Sequence, residues 1–419
     1  MNDLKILPVV DRRGIDSFIA AARRAQVGNP RWVEPVHDEI RMIFNPRFTP
    51  FTRENAVQPF VALRDGEPVG RIVATVDRRH IAKFNDSCGF FGFIDAIDDR
   101  AVFAGLFAEA ERFLLAHGMK TARGPFSLTI NHESGLLVHG FDQPHVVRTN
   151  HAPPHYARHI ESLGYTKAMD LLAYTCRVAE SDFPERFARL AAGRGAPKIE
   201  YVPLTVRNWG RDFARVLALY NDAWSDNAWS TPLVEEEARL ISRLTLPVCR
   251  PGWIRIATYK GEDVAVGAQI PDANEALQGL HGRLWPFGLA RLLWGIHVRG
   301  TRMTRVPIAG VSKKWRNTKV AAFAVSGLGA GVIVDARRAR VEEVEFSWML
   351  ETNEVALNGM PNIPARHSRT FRIYERALGT NPQAPDVGPP DTAASRSSAT
   401  SPAAIVETGP RDKAAAGMQ

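Results

Sequence analysis

One pattern occurs twice in this chain and constrains its fold more than any other feature. Val61 to Asp77 reads VALRDGEPVGRIVATVD, and Ile256 to Asp272 reads IATYKGEDVAVGAQIPD. In each, a β-branched run meets a polar-Gly-acid turn (Asp65-Gly66-Glu67, Lys260-Gly261-Glu262). A second run with an internal glycine follows (Gly70, Gly267). Such runs predict β-hairpins. Each hairpin is preceded by a strand-like opening, Lys5 to Val10 or Ile199 to Thr205, and by a helical stretch. The second such helix is expected over Arg207 to Trp224, where Phe213, Val216, Leu217 and Tyr220 share a face.

After each hairpin the pattern predicts strand, helix, strand. In the first half Gly89 to Ile97 is the strand and Asp98 or Asp99 caps the helix. Val102, Phe103, Leu106, Ala110, Phe113 and Leu114 form its buried stripe, and Gly118 ends it. In the second half the strand is Thr304 to Ser312, a long small-residue helix follows, and Val341 to Leu350 is the next strand. The expectation is an α/β (mixed α+β) protein of two tandem units, each a twisted mixed sheet flanked by helices. Their spans are 1–180 and 199–378, joined by a linker at 181–198.

Composition removes whole classes. At 45 % hydrophobic and 23 % charged residues the chain is neither fibrous nor wholly disordered. From Gly379 on, Pro, Ala, Ser and Thr dominate, so 379–419 is expected to be a disordered tail. Three cysteines (Cys88, Cys176, Cys249) without metal-type spacing argue against a disulfide framework or a zinc module. The opening MNDLKILPVV lacks a leader's basic-then-apolar pattern, and the uncharged stretch Val320 to Val334 is shorter than a membrane span. A cytoplasmic location is expected. The net charge of +8 favours an anionic partner: a phosphorylated cofactor, an acidic lipid surface or nucleic acid.

The order strand-helix, hairpin, strand, basic turn, helix, strand resembles the GCN5-related N-acetyltransferase (GNAT) fold. The sharpest match is the strand Thr304 to Ser312 running into KKWRNTKVA and a helix, with SWMLETN (Ser347 to Asn353) and FRIYERAL (Phe371 to Leu378) beyond it. In the first half GFFGFIDAIDD, GPFSLTINHESGLLVHGFD and HAPPHYARHIESLGYTKAMDLLAY, with YNDAWSDNAWSTPL in the second, resemble a group of bacterial tandem-GNAT proteins that includes ceramide-synthase-like N-acyltransferases. That resemblance implies acyl-coenzyme A or an acyl carrier protein as co-substrate, with no permanently bound cofactor. It further implies a primary amine acceptor, of the sphingoid long-chain type, and peripheral contact with the inner membrane.

GNAT turns usually present Arg/Gln-x-x-Gly-x-Gly/Ala to the pyrophosphate; here the register reads Arg316, Lys319, Ala321, so lysine stands at the usual glycine place. The candidate donor-binding set is Val311, Ser312, Lys313, Lys314, Arg316, Asn317, Lys319 and Ala321, where four cations meet a helix start. The alternative is a solvated basic face.

Acyl transfer to an amine needs a base, an oxyanion donor and a proton for the thiolate. In the first half Asn131, Glu133, His151, His155 and Tyr156 carry suitable groups, Glu133 or a histidine as base and Tyr156 as acid. In the second half Glu351 and Asn353 match them, with Tyr374 beside. Each also has a plain structural role open to it: turn, cap or core.

His151, His155 and His159 have i, i+4 spacing, but Pro153 and Pro154 interrupt any shared helix, so no metal site is expected. GLGAG (Gly327 to Gly331) lacks full dinucleotide-loop spacing and reads as close helix packing or a helix end. The segment LWPFGLARLLWGIHV, with Arg291 and Arg299 nearby, is core, an acyl-tunnel wall or a bilayer-facing stripe. The resulting expectation is a thioester-dependent N-acyltransferase acting without an acyl-enzyme, with no nucleic-acid partner. A non-catalytic GNAT-like scaffold docking on lipid or nucleic acid, or a FemABX-like aminoacyl transferase, is the alternative.

Overall fold

Both repeated turns close as two-residue hairpins because each central pair takes left-handed backbone: Asp65 at φ 50° with Gly66 at 84°, and Lys260 at 52° with Gly261 at 80°. Two positive φ values in succession make a type I′ turn, whose twist matches that of the flanking strands. The structure is a computed structural model describing residues 3–379. The tail expected beyond Gly379 lies outside the described residues.

The first half runs β1 (Leu4–Pro8), α1 (Arg12–Ala25), α2 (His37–Ile43), α3 (Pro50–Glu54), β2 (Ala56–Arg64), β3 (Glu67–Val76) and α4 (Arg78–Phe84). It continues β4 (Cys88–Ala96), α5 (Arg100–Ala116), β5 (Thr121–Gly124), β6 (Leu136–His139), α6 (His155–Ser162) and β7 (Thr166–Arg177). The 181–198 segment carries α7 (Phe183–Ala191). Then come β8 (Glu200–Pro203), α8 (Trp209–Trp224), α9 (Glu235–Thr245), β9 (Ile254–Tyr259), β10 (Glu262–Pro271), α10 (Ala273–Leu277) and α11 (Gly288–Trp294). The chain closes with β11 (Met303–Val311), α12 (Lys319–Arg338), β12 (Glu343–Leu350), α13 (Glu354–Gly359) and β13 (Arg366–Ala377).

The two expected units share one sheet, ordered β1-β2-β3-β4-β5-β13-β7-β12-β11-β10-β9-β8, with β6 pairing β13 off that path. The last strand therefore lies inside the first half: β13 is antiparallel to both β5 and β7, and β7 pairs on its other edge with β12. Each unit keeps one parallel pair, β4 with β5 and β11 with β12.

Helix α5 buries the stripe predicted for it, except that Phe113 sits half-buried at its margin. Asp99, not Asp98, is the cap, accepting from the Ala101 N–H at 2.7 Å. Each buried Leu or Phe there contributes about 1.5–3 kcal/mol. Helix α12 has the length and composition of a membrane span, yet more than half of it is buried, packed on β9, β10 and α7. Its GLGAG stretch is close packing: a Cβ on Gly327 would stand 1.7 Å from the Tyr201 hydroxyl, which donates to Phe323 O. All three cysteines are free and buried.

Candidate active site

Parallel strands that diverge leave a V-shaped opening with unpaired backbone along its edges, and each half contains one such place. In the first half β4 and β5 pair only from Cys88↔Thr121 to Phe90↔Arg123. The chain fills the gap beyond with its own backbone: Phe126 N–H donates to Phe91 O at 2.8 Å. Gly92 and Gly124 allow that approach, since a Cβ would stand 1.7 Å from Phe126 O at one and 2.1 Å from Phe91 O at the other. In the second half β11 and β12 part after Val306↔Phe346. There Pro307–Val311 pairs β10 on one edge, is only partly covered, and has no strand on the other edge. Trp224 packs its ring over Gly310, and Tyr220 stacks on Trp224 at 4.7 Å between centroids.

The predicted donor turn follows directly. Lys313–Trp315 forms a single 3-10 turn, Asn317 takes φ 60°, and Thr318 caps α12 by accepting from Ala321 N–H. All four cations lie at this turn, and each has a partner. Lys313 and Arg316 both pair with Asp226, at 2.6 and 3.0 Å, Lys314 pairs with Glu262, and Lys319 Nζ donates to Gly195 O. The Lys313 N–H also donates to Asp222 at 2.8 Å. Val311 and Ser312 are half-buried at the strand end. At the corresponding first-half turn the cap residues are acidic: Asp98 pairs with Arg158 and His159, and Asp99 with Arg64.

Glu133 comes from the loop after β5, which is tied to the second half. Two residues earlier, Asn131 accepts from the Tyr220 hydroxyl at 2.7 Å and donates to Thr231 O at 3.0 Å. Burial pushes the Glu133 carboxyl up to about 7; Arg148 pulls against that shift, Glu39 adds to it, and Arg305 and Arg71 oppose it. Arg148 pairs with Glu39 of α2 at 2.5 Å. Neighbouring His132, facing Phe51, is pushed down to about 4 by burial and is neutral at ordinary pH.

A buried polar network lies beside β11. Arg305 donates to Ser347 Oγ at 2.8 Å and to the carbonyls of Val147 and Arg148 at 3.0 and 2.7 Å, its guanidinium 4.5 Å over the Trp348 ring. Ser347 donates to Glu345, which pairs with Arg369 of β13, both side chains 1 % exposed. Arg369 also donates to Pro144 O. The last paired residues of β11 and β12, the Arg148 loop and β13 are thereby fixed together.

The other predicted residues lie elsewhere. Tyr156 is fully buried; its hydroxyl donates to Asp95 at 3.2 Å and accepts from Ala96 N–H. That placement corrects the expectation of an acid facing the thiolate: the core takes both hydrogen-bonding directions of the hydroxyl. His151 contacts Asn29, and His155 opens α6 with its ring 3.3 Å from Ala96 O. Glu351 pairs with Lys167 and accepts from Asp170 N–H, and Asn353 caps α13. Tyr374 is buried and donates to Glu161. The second-half set therefore serves the β12–β7 and β13–α6 contacts. Sequence reading did not single out Glu39, Arg148 or Arg305, nor the Tyr220 bond to Asn131. One signal was available: an arginine amid the apolar strand TRVPIAGV must find buried partners.

No family model matches the chain. A protein of Caulobacter vibrioides (strain NA1000 / CB15N) named bacterial ceramide synthase is 35 % identical over 378 residues, 90 % of this chain and 98 % of that protein. Protein YghO of Escherichia coli (strain K12) is 32 % identical over 369 residues, 88 % of this chain and 94 % of that one. Among solved structures, a tandem GNAT protein from the clavulanic acid biosynthesis pathway superposes with a TM-score of 0.53 at 13 % identity, covering 90 % of this chain and all of that one. A GCN5-related glucosamine N-acetyltransferase region from a fungal β-N-acetylglucosaminidase gives 0.54 at 11 % identity, over 90 % of this chain and 38 % of that one. The shared tandem architecture and these identities over nearly whole lengths place the chain in the bacterial ceramide synthase group of tandem GNAT N-acyltransferases.

Proposed function

We propose that the protein transfers a long acyl group from an acyl thioester, acyl-coenzyme A in the first instance, to the primary amine of a sphingoid-type long-chain base. The observation that carries this reading is the strand divergence at β11–β12, left open among the described residues, with a near-neutral carboxyl on a loop of the other half that bonds to Tyr220. The thioester's anionic handle lies at Lys313, Arg316 and Lys319, displacing Asp226 from its cations. Its carbonyl oxygen faces the unpaired backbone edge of Pro307–Val311, where N–H groups receive the oxyanion. Glu133 carboxylate takes a proton from the amine as nitrogen attacks the carbonyl carbon. The tetrahedral adduct collapses, the C–S bond breaks, and the departing thiolate takes up the proton that Glu133 removed from the amine, passed through water, which returns Glu133 to its carboxylate. The amide and the free thiol leave. Asn131, bonded to Tyr220, holds the Glu133 loop in place, and Arg148 opposes the rise that burial gives the Glu133 carboxyl.

The relatives' 35 % and 32 % identities, one under the name ceramide synthase, support the amine class. Mass spectrometry of products after incubation with mixed acyl-coenzyme A donors and candidate amines tests it. N-acylated long-chain base is expected. Acylation of short polar amines alone would contradict the acceptor assignment, and absence of any amide would contradict the reaction.

A further inference from the structure

The segment joining α10 to β11 turns its apolar side chains outward. Leu292 and Ile296, one helical turn apart, bury against Ala273 and Ala276. Just before α11, Trp285 is 73 % exposed and Phe287 80 %; at the end of α11 and in the π-helical turn Gly295–Arg299 that extends it, Trp294 is 54 % and Val298 70 % exposed. A fold that merely used this stretch as core would bury the tryptophans first.

Charge supplies the second observation. From Ala276 to Val334 the sequence contains no Asp or Glu. Arg283, Arg291, Arg299 and Arg302 are exposed in the same segment, and among the described residues none forms an ion pair with a carboxylate. The cations at the donor turn are by contrast all partnered. Guanidinium groups without a carboxylate partner, in one segment with outward indole and phenyl rings, match an anionic bilayer surface: rings at the headgroup level, arginines on the phosphates.

The segment also adjoins the polar network around Arg305. Gly282 O accepts from the His37 N–H at 2.9 Å, and α2, which begins at His37, carries Glu39 to Arg148. Val147 packs against the Leu292–Ile296 cluster from the loop held by Arg305.

We infer that Trp285, Phe287, Trp294 and Val298, with Arg283 and Arg291, dock the protein on an anionic lipid bilayer. The docking goes beyond the acyl-transfer reading and is measured without turnover. The full chain is sedimented with vesicles of phosphatidylcholine alone or containing phosphatidylglycerol. Binding is expected on the anionic vesicles, falling with added salt, with a blue shift of tryptophan emission. Trp285→Ser combined with Trp294→Ser, and separately Arg283→Glu with Arg291→Glu, should each lower partitioning about tenfold or more. Both variants should leave turnover of water-soluble short-chain substrates unchanged. Equal sedimentation of wild type and variants overturns the inference, as does binding indifferent to phosphatidylglycerol. A concentration-dependent oligomer abolished by the tryptophan substitutions overturns it too, because a second copy would then cover the face.

Discussion

At the scale of single residues, the acid–base behaviour of Glu133 follows from its surroundings. Burial raises its pKa to about 7 while Arg148 draws it down. A carboxyl raised in this way is protonated below that value and ionised above it, so a rate that needs its carboxylate rises with pH through about 7. Arg148→Met removes a favourable charge and should carry the rising limb of the pH–kcat profile to higher pH; a limb that stays in place would detach Arg148 from Glu133. Arg369→Met leaves Glu345 buried without its partner and should cost about 3–5 kcal/mol, read from denaturant unfolding. Glu133 and Asn131 stand out in sequence as candidates because polar residues cluster there between strand-like runs. The fate of Tyr156 was not: a tyrosine in a loop-to-helix passage looks alike whether its hydroxyl faces solvent or Asp95. The network through Arg305 joins residues from four distant segments, and no local pattern encodes such a meeting.

At the scale of elements, the donor turn is where sequence and structure agree in place and differ in state. Strand, basic turn and capped helix occur where the KKWRNTKVA motif put them, yet Asp226 from beyond α8 sits on two of the cations. Asp226→Asn should therefore tighten thioester binding severalfold at low salt, and Arg316→Glu should weaken it. Isothermal titration of acyl-coenzyme A checks both, and the difference should shrink as salt rises. Equal affinities would separate this turn from the donor. The hairpins were legible because two-residue turns at Asp65-Gly66 and Lys260-Gly261 admit few geometries. The plug at Gly92 and Gly124 was not, since a glycine in a strand marks a close approach without naming what approaches.

At the scale of the whole molecule, the repeat predicted two units but not their exchange. Pairing of β13 with both β5 and β7 depends on a contact between the chain's last strand and its first half, which periodicity does not report. A chain ending at Ala365 would expose both edges and lose Arg369. Its first half is expected to lose amide protection in hydrogen exchange while 254–350 keeps more of its own; full protection of β5 and β7 would show that β13 is dispensable.

The loop that carries Glu133 is bonded to Tyr220 and Thr231 of the other half, and the proposed reaction uses its carboxylate there. Single-turnover amide formation in Glu133→Gln, measured by mass spectrometry beside acyl-coenzyme A affinity on the same protein, tests that arrangement most directly. Donor affinity is expected to stay unchanged within about twofold while the rate falls about 100-fold or more and the rising limb near pH 7 disappears. Full-rate turnover in this variant, with the limb intact, would contradict it.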